Sequence, residues 1–354
     1  MCKVCVYLPV LCLLASVATA QPERPAPPTD QRPEHRAGGP GGEAKAVVSR
    51  FLGEWGEEGS EPGEFHFPIG IAINAADEVF VADFYNDRIQ KFSVDGKLLA
   101  VLPVLPNPGG IAISRSGDLY LSHFAERKRE ERTTDRVSVY DPAGKLLRQW
   151  GRTGSNDGEF DCPGGLALGQ DGRVYVADQT NRRVQVFDGE GKFLFKWGEH
   201  GSKPGQFGGK VSIRSRVGGP QFLAFDSTGN VYTTEGSEGR VQKFTPEGKF
   251  LLAWGDNEVK PGSFGGTFSG FGRGKVTLQG PVALCVDKHD RVWVSAVCGR
   301  IQRFTTEGEY LGGFGSEGTK PGEFLAPHGL AFDSHGHLFV VDAFNHRIQK
   351  FAVE

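Results

Sequence analysis

The stretch Val81-Ala82-Asp83-Phe84-Tyr85-Asn86-Asp87-Arg88-Ile89-Gln90-Lys91-Phe92 decides the architecture, because it returns twice with its chemistry intact. The copies are Val176-Ala177-Asp178-Gln179-Thr180-Asn181-Arg182-Arg183-Val184-Gln185-Val186-Phe187 and Val341-Asp342-Ala343-Phe344-Asn345-His346-Arg347-Ile348-Gln349-Lys350-Phe351. Weaker copies run through Arg136-Val137, Arg240-Val241-Gln242-Lys243-Phe244 and Arg300-Ile301-Gln302-Arg303-Phe304, which makes six in all. Self-similarity at a long, regular period is the signature of a repeat architecture. Within each copy, short apolar-polar alternation on both sides of a polar turn reads as two adjacent β-strands.

A second rhythm completes the unit. Trp150-Gly151, Trp197-Gly198, Trp254-Gly255 and Phe314-Gly315 recur at intervals of 47, 57 and 60 residues. Glycine turns such as Asp95-Gly96, Asp171-Gly172, Glu190-Gly191 and Glu247-Gly248 separate strands of four to seven residues. Four short strands per unit, six times over, predict an all-β, six-bladed β-propeller. The chain stops at Phe351-Ala352-Val353-Glu354 without a fourth strand for its last unit, whereas Arg50-Phe51-Leu52-Gly53-Glu54-Trp55-Gly56 is an orphan copy of that strand. The N-terminal strand is therefore expected to complete the sixth blade and close the ring, removing a long open edge.

The Val-Ala-Asp-x-x-Asn-x-Arg-Ile-Gln-x-Phe pattern, with Pro-Gly-Glu-Phe preceding it at 62–65 and 321–324, resembles the NHL-repeat family of six-bladed propellers over about residues 50 to 354. The resemblance implies the fold. It does not choose a function, since such propellers serve as protein-binding, RNA-binding and lyase domains.

Composition agrees with many short strands joined by tight turns: 51 Gly and 26 Phe against a single Met exclude an all-helical fold. With 40 Lys plus Arg against 43 Asp plus Glu, the net charge of -3 offers no general attraction for nucleic acid. Residues 1–20 read as a cleaved signal peptide: Lys3, an apolar run over 4–17, then Ala18-Thr19-Ala20. That run is too short to span a bilayer, so a secreted or periplasmic protein without a transmembrane segment is expected. Residues 21–46, with Pro25-Ala26-Pro27-Pro28 and Gly38-Gly39-Pro40-Gly41-Gly42, read as a linker. The propeller is assigned to 47–354. Cys2, Cys5 and Cys12 fall in the leader, leaving Cys162, Cys285 and Cys298, too few for a disulfide scaffold.

Residues repeated in every unit are expected to be structural. Asp83, Asp178 and Asp342 precede the turn and Arg88, Arg136, Arg183, Arg240, Arg300 and Arg347 follow it, so acid and base are placed to bond each other and the turn backbone in every blade. Phe65, Phe160, Phe207, Phe264 and Phe324 read as wedges between blades. Departures mark positions released from the repeat: His123 stands at the Asp position of blade two, Glu235 and Glu238 replace Asp and Asn in blade four, and blade five is shorter around Cys298-Gly299.

Long insertions point to one face. In a propeller the link between blades and the link from second to third strand emerge on the same side, and the insertions 124–135, 205–219 and 262–280 are all of these kinds. Loops on a rigid scaffold are where function gathers. The candidate binding residues there are Arg127, Lys128, Arg129, Lys210, Arg214, Arg216, Arg273 and Lys275, opposed by an acidic segment carrying Glu57, Glu58, Glu61 and Glu64. Such a patchy face suits a protein, peptide or glycan partner better than continuous tracking of a phosphate backbone. A monomer is expected.

The alternative is a metal-dependent lyase similar to peptidyl-hydroxyglycine-cleaving propellers, where histidines at the channel mouth hold zinc. His328 follows a blade-opening proline, where the other blades have Ile69, Gly109, Gly164, Gln221 and Val282. His123 and His328 are thus the candidate metal ligands, for Zn or Ca, with His66 the nearest third. No Gly-x-Ser-x-Gly elbow, P-loop or dinucleotide fingerprint occurs in a suitable context.

Overall fold

The computed structural model describes residues 47–124, 135–211, 218–271 and 276–354, with backbone alone over 268–271 and 276–278. The signal-peptide and linker expectations for 1–46 lie outside the described residues.

Alternation within one strand explains how the blades stack. In the second strand of blade one, Glu78–Asp83, Val79 and Val81 join a core with Phe339 and Ile348 of blade six. Phe80 and Ala82, pointing the other way, join a core with Leu119, Leu121 and Tyr140 of blade two. Both faces of the strand are buried because each blade is sandwiched between two others, and every Val or Phe so buried contributes roughly 1.5–3 kcal/mol.

Six antiparallel four-stranded sheets result. Their inner strands are Pro68–Ile73, Pro108–Ile113, Pro163–Leu168, Leu223–Phe225, Pro281–Val286 and Pro327–Phe332. Each inner strand touches the next, and the last touches the first, so the sheets form a ring. Ser49–Trp55 pairs antiparallel with Arg347–Val353, matching Phe51 with Phe351 and Trp55 with Ile348, so the N-terminal strand completes blade six.

The phenylalanine wedges sit where adjacent blades meet. Phe65 packs between blades six and one, Phe160 between two and three, Phe207 between three and four, Phe264 between four and five, and Phe324 between five and six, all without exposure. The Trp-Gly pairs belong to the same packing. At Gly56, φ is +97° and an added Cβ would lie 2.5 Å from the Phe65 ring, so glycine makes room for the wedge. At Gly96, in the turn between third and outer strands, φ is +80° and a Cβ would lie 2.8 Å from the Trp55 ring of the neighbouring blade.

Adjacent turns below the inner strands are clasped as well. The Asp77 carboxylate accepts from the Ser334 N–H at 2.8 Å and from its Oγ at 2.6 Å, linking blades one and six. Asp290 and Ser227 repeat the clasp between blades five and four at 2.8 and 2.6 Å.

Candidate functional site

The polar turn of the repeat builds one face of the ring. Arg88 Nε donates to Asp83 Oδ2 at 2.7 Å, while its other nitrogens donate to the carbonyls of Ser60, Glu61 and Glu64 in the preceding link. Asp83 Oδ1 accepts from the His66 N–H at 2.7 Å, and Gln90 Nε2 donates to the Glu64 carbonyl at 2.6 Å. A buried ion pair therefore staples the inter-blade link to the blade. Asp178 with Arg183 and Asp342 with Arg347 repeat it at 2.7 and 2.8 Å. In blade four Glu235 pairs with Arg240 at 2.8 Å and also accepts the N–H of Gly208, reaching into the longer insert with its extra methylene.

Two blades depart from the acid-base staple expected in all six. Blade two replaces the acid by fully buried His123, whose Nδ1 lies 3.0 Å from the Pro106 carbonyl and Nε2 2.6 Å from Ser138 Oγ. Blade five has Ala296 at the acid position, and Arg300 Nε donates instead to Cys298 Sγ at 3.2 Å.

These contacts test the metal reading. A carbonyl can only accept, so Nδ1 of His123 carries the proton and Nε2 accepts from the Ser138 hydroxyl; no lone pair remains for a metal. Burial pushes its pKa down to about 4. His328 is 7% exposed, donates from Nδ1 to the Ala326 carbonyl at 2.7 Å, packs edge-on against Phe67, and is likewise pushed down to about 4 by burial. With both nitrogens so bonded, His123 does not fit a zinc or calcium ligand; for His328 the bond to Ala326 occupies Nδ1. Among the described residues, no group of three or more His, Cys, Asp or Glu side chains is gathered to hold a metal.

The ring encloses an axial hollow. A cavity of about 340 Å³ is lined from all six blades, by Ile71, Ile111, Leu166, Leu223, Leu284 and Leu330 among others. Cys285 also lines it, its thiol pushed well up by burial.

The face that carries the inter-blade links holds something the sequence reading passed over. A continuous group of aromatic rings crosses blades two, one and six beside the channel mouth. Phe124 lies 4.7 Å from Phe84, Phe84 4.9 Å from Tyr85, Tyr85 5.9 Å from Phe67, and Phe67 4.9 Å from Phe344, centroid to centroid. His66 adds a ring 4.9 Å from Tyr85 and 6.1 Å from His346. Phe84 and Phe67 are buried, Phe124, Tyr85 and Phe344 half-buried, and His66 exposed. Glu57, Glu58 and Glu61 in the link before blade one are exposed. The signal was available in the repeats: the two turn positions before Asn carry Phe84-Tyr85 in blade one and Ala343-Phe344 in blade six, against Gln179-Thr180 in blade three.

Of the expected cationic binding residues, Lys210 is described. Its backbone N–H donates to Glu238 Oε1 at 2.7 Å and its half-exposed Nζ lies 3.8 Å from Glu238 Oε2. Ser202 Oγ donates to the same carboxylate at 3.0 Å, so Glu238 fastens the blade-four insert. Arg127, Lys128, Arg129, Arg214, Arg216, Arg273 and Lys275 lie outside the described residues or their described side chains. The insert before blade five rises as a hairpin of Thr267–Phe271 and Val276–Gln279 on this same face.

Comparisons with known proteins agree with this architecture. The E3 ubiquitin-protein ligase TRIM32 of Homo sapiens is 25% identical over 325 residues, 84% of this chain and 44% of its own. Protein brain tumor of Drosophila melanogaster is 29% identical over 133 residues, 35% of this chain and 12% of its own. The chain thus spans less than half the length of these curated relatives. Virginiamycin B lyase from Staphylococcus aureus superposes with a TM-score of 0.54 at 16% identity, covering 87% of this chain and 99% of the lyase, which is a likeness of fold. The NHL repeat matches residues 65–92, 160–187 and 324–351, each running from a wedge phenylalanine through the stapled turn to the end of the third strand. Those three NHL repeats are set in a closed ring of six four-stranded sheets, a six-bladed β-propeller.

Proposed function

We propose that this propeller is an exported, non-enzymatic binding scaffold that takes a protein, peptide or glycan partner on its loop face. The aromatic group at the channel mouth is the observation that carries this reading. Half-buried rings held by a rigid frame offer large contact area at little entropic cost, and they serve the apolar faces of peptides and sugars alike. The stapled links supply the rigidity, and the inserts before blades four and five rise on the same side. The hydrogen-bonded nitrogens of His123 favour binding over chemistry.

Peptide and glycan libraries screened with the purified chain test the proposal. A ligand found this way is expected to bind at least tenfold more weakly to Phe124→Ala and Phe344→Ala variants, with Lys288→Glu on the opposite face unchanged. Binding that survives both aromatic substitutions, or is lost only with the Lys288 change, would overturn it.

A further inference from the structure

The face opposite the loops carries a pair of histidines that neither the repeat nor the loop-face reading uses. Ser334-His335-Gly336-His337 forms the turn between the first two strands of blade six and the start of the second. His337 Nδ1 lies 2.8 Å from Oδ2 of Asp333, a carboxylate with 1% side-chain exposure. His335 Nδ1 lies 3.3 Å from Ser334 Oγ, whose own proton goes to Asp77 Oδ2 at 2.6 Å, and 3.5 Å from that carboxylate oxygen. An acceptor on Nδ1, the Asp333 carboxylate for His337 and the Ser334 hydroxyl oxygen for His335, places the proton there and leaves the lone pair on Nε2, which is the arrangement that orients metal-binding histidines. The rings are stacked at 19° with centroids 6.0 Å apart, and the side chains are 69% and 30% exposed. Two imidazoles sharing one ion, with Zn–N bonds of about 2.0–2.1 Å, have centroids roughly 5 to 6 Å apart.

Comparison with the other blades separates this pair from ordinary turn chemistry. The same contact onto the turn aspartate is made by Arg291 on Asp287 in blade five and by Asn230 on Asp226 in blade four. Neither brings an imidazole nitrogen to the surface. Blade five also has His289 at the place of His335, but with Arg291 beside it the pair is incomplete. Blade six alone has imidazoles at both turn positions.

We propose that His335 and His337 form a surface site for one divalent transition-metal ion of the zinc, nickel and copper class, bound through both Nε2 atoms. Imidazole suits these ions. Water fills the remaining positions, so the ion is exchangeable. The cations nearby are Lys350, whose Nζ is committed to the Val94 carbonyl at 3.0 Å and lies 4.0 Å from Asp333 Oδ2, and Lys288, which approaches Gly336. Both restrain the affinity without occupying the imidazoles.

Calorimetric titration of zinc chloride into the untagged, chelator-stripped full chain at pH 7.5 decides the matter. One ion per chain is expected, with affinity at least tenfold lower in His335→Asn and His337→Asn and unchanged in His289→Asn. Asp333→Asn keeps both imidazoles and the turn yet is expected to lose 10- to 100-fold in affinity, the usual cost of an orienting partner. If that variant folds poorly, the two histidine substitutions still decide. Absence of binding by the native chain, or undiminished binding by the His335→Asn/His337→Asn double variant, would overturn the site.

Discussion

Trp55 and Phe92 meet ring to ring at 5.7 Å, although one ends the N-terminal strand of blade six and the other lies in the third strand of blade one. Trp150 with Phe187, Trp197 with Phe244 and Trp254 with Phe304 repeat the contact at 5.8, 5.7 and 5.8 Å. Only the first pair ties the two ends of the ring. Trp55→Ala is therefore expected to cost about 3 kcal/mol in urea unfolding. Removing residues 47–55 bares the edge of Arg347–Val353, so sedimentation should then show concentration-dependent self-association.

The staple predicts an asymmetry among blades. Asp83→Ala strands the Arg88 guanidinium, which is 10% exposed, and is expected to cost about 3 to 5 kcal/mol. Cys298→Ala removes only a neutral thiol contact from Arg300 and should cost about 1 kcal/mol or less. Parallel denaturant titrations of the two variants compare them directly, and equal costs would mean that the acid-base pair adds little.

Acid should weaken the fold through His123. Its pKa falls from an ordinary 6.5 to about 4 in the folded chain, so below pH 6.5 the unfolded chain takes up a proton that the native one refuses. The stabilisation is fully present above pH 6.5 and is lost as pH falls towards 4, amounting to about 3 kcal/mol over that window. His123→Gln keeps a hydrogen-bonding side chain without the titration. The stability difference between native chain and variant should shrink from pH 7 to pH 4; a constant difference would show that His123 is not the titrating group.

Gly56 and Gly63 share a φ of +97°, yet a Cβ at Gly56 would strike the Phe65 ring at 2.5 Å and one at Gly63 would meet nothing within 4 Å. Alanine at either position carries the same backbone strain, on the order of 1 kcal/mol. Thermal unfolding is expected to place Gly56→Ala lower than Gly63→Ala, by about 1 to 3 kcal/mol of overpacking. Equal melting points would mean that the wedge can shift freely.

Alternating apolar residues, the returning Asp-x-x-Asn-x-Arg-Ile-Gln turn and the orphan strand at 50–55 were enough for the sequence itself to determine the six blades and the closed ring, because strand period and turn chemistry are local and every repeat states them again. It also determined which face carries the inserts, since strand alternation dictates where each link emerges. Function was less legible. The cationic residues chosen on charge fall largely outside the described residues, and the one described, Lys210, is tied to Glu238. His123 and His328 resembled ligands by position alone; the tertiary structure buried both, binding the two nitrogens of His123 to Pro106 and Ser138 and Nδ1 of His328 to Ala326. The aromatic group at the channel mouth and the paired histidines of blade six were likewise decided only in three dimensions. Phe124, Phe84, Phe67 and Phe344 come from three blades, and Asp77 reaches His335 across the ring closure, so the distances that give them meaning exist only after the last blade has met the first.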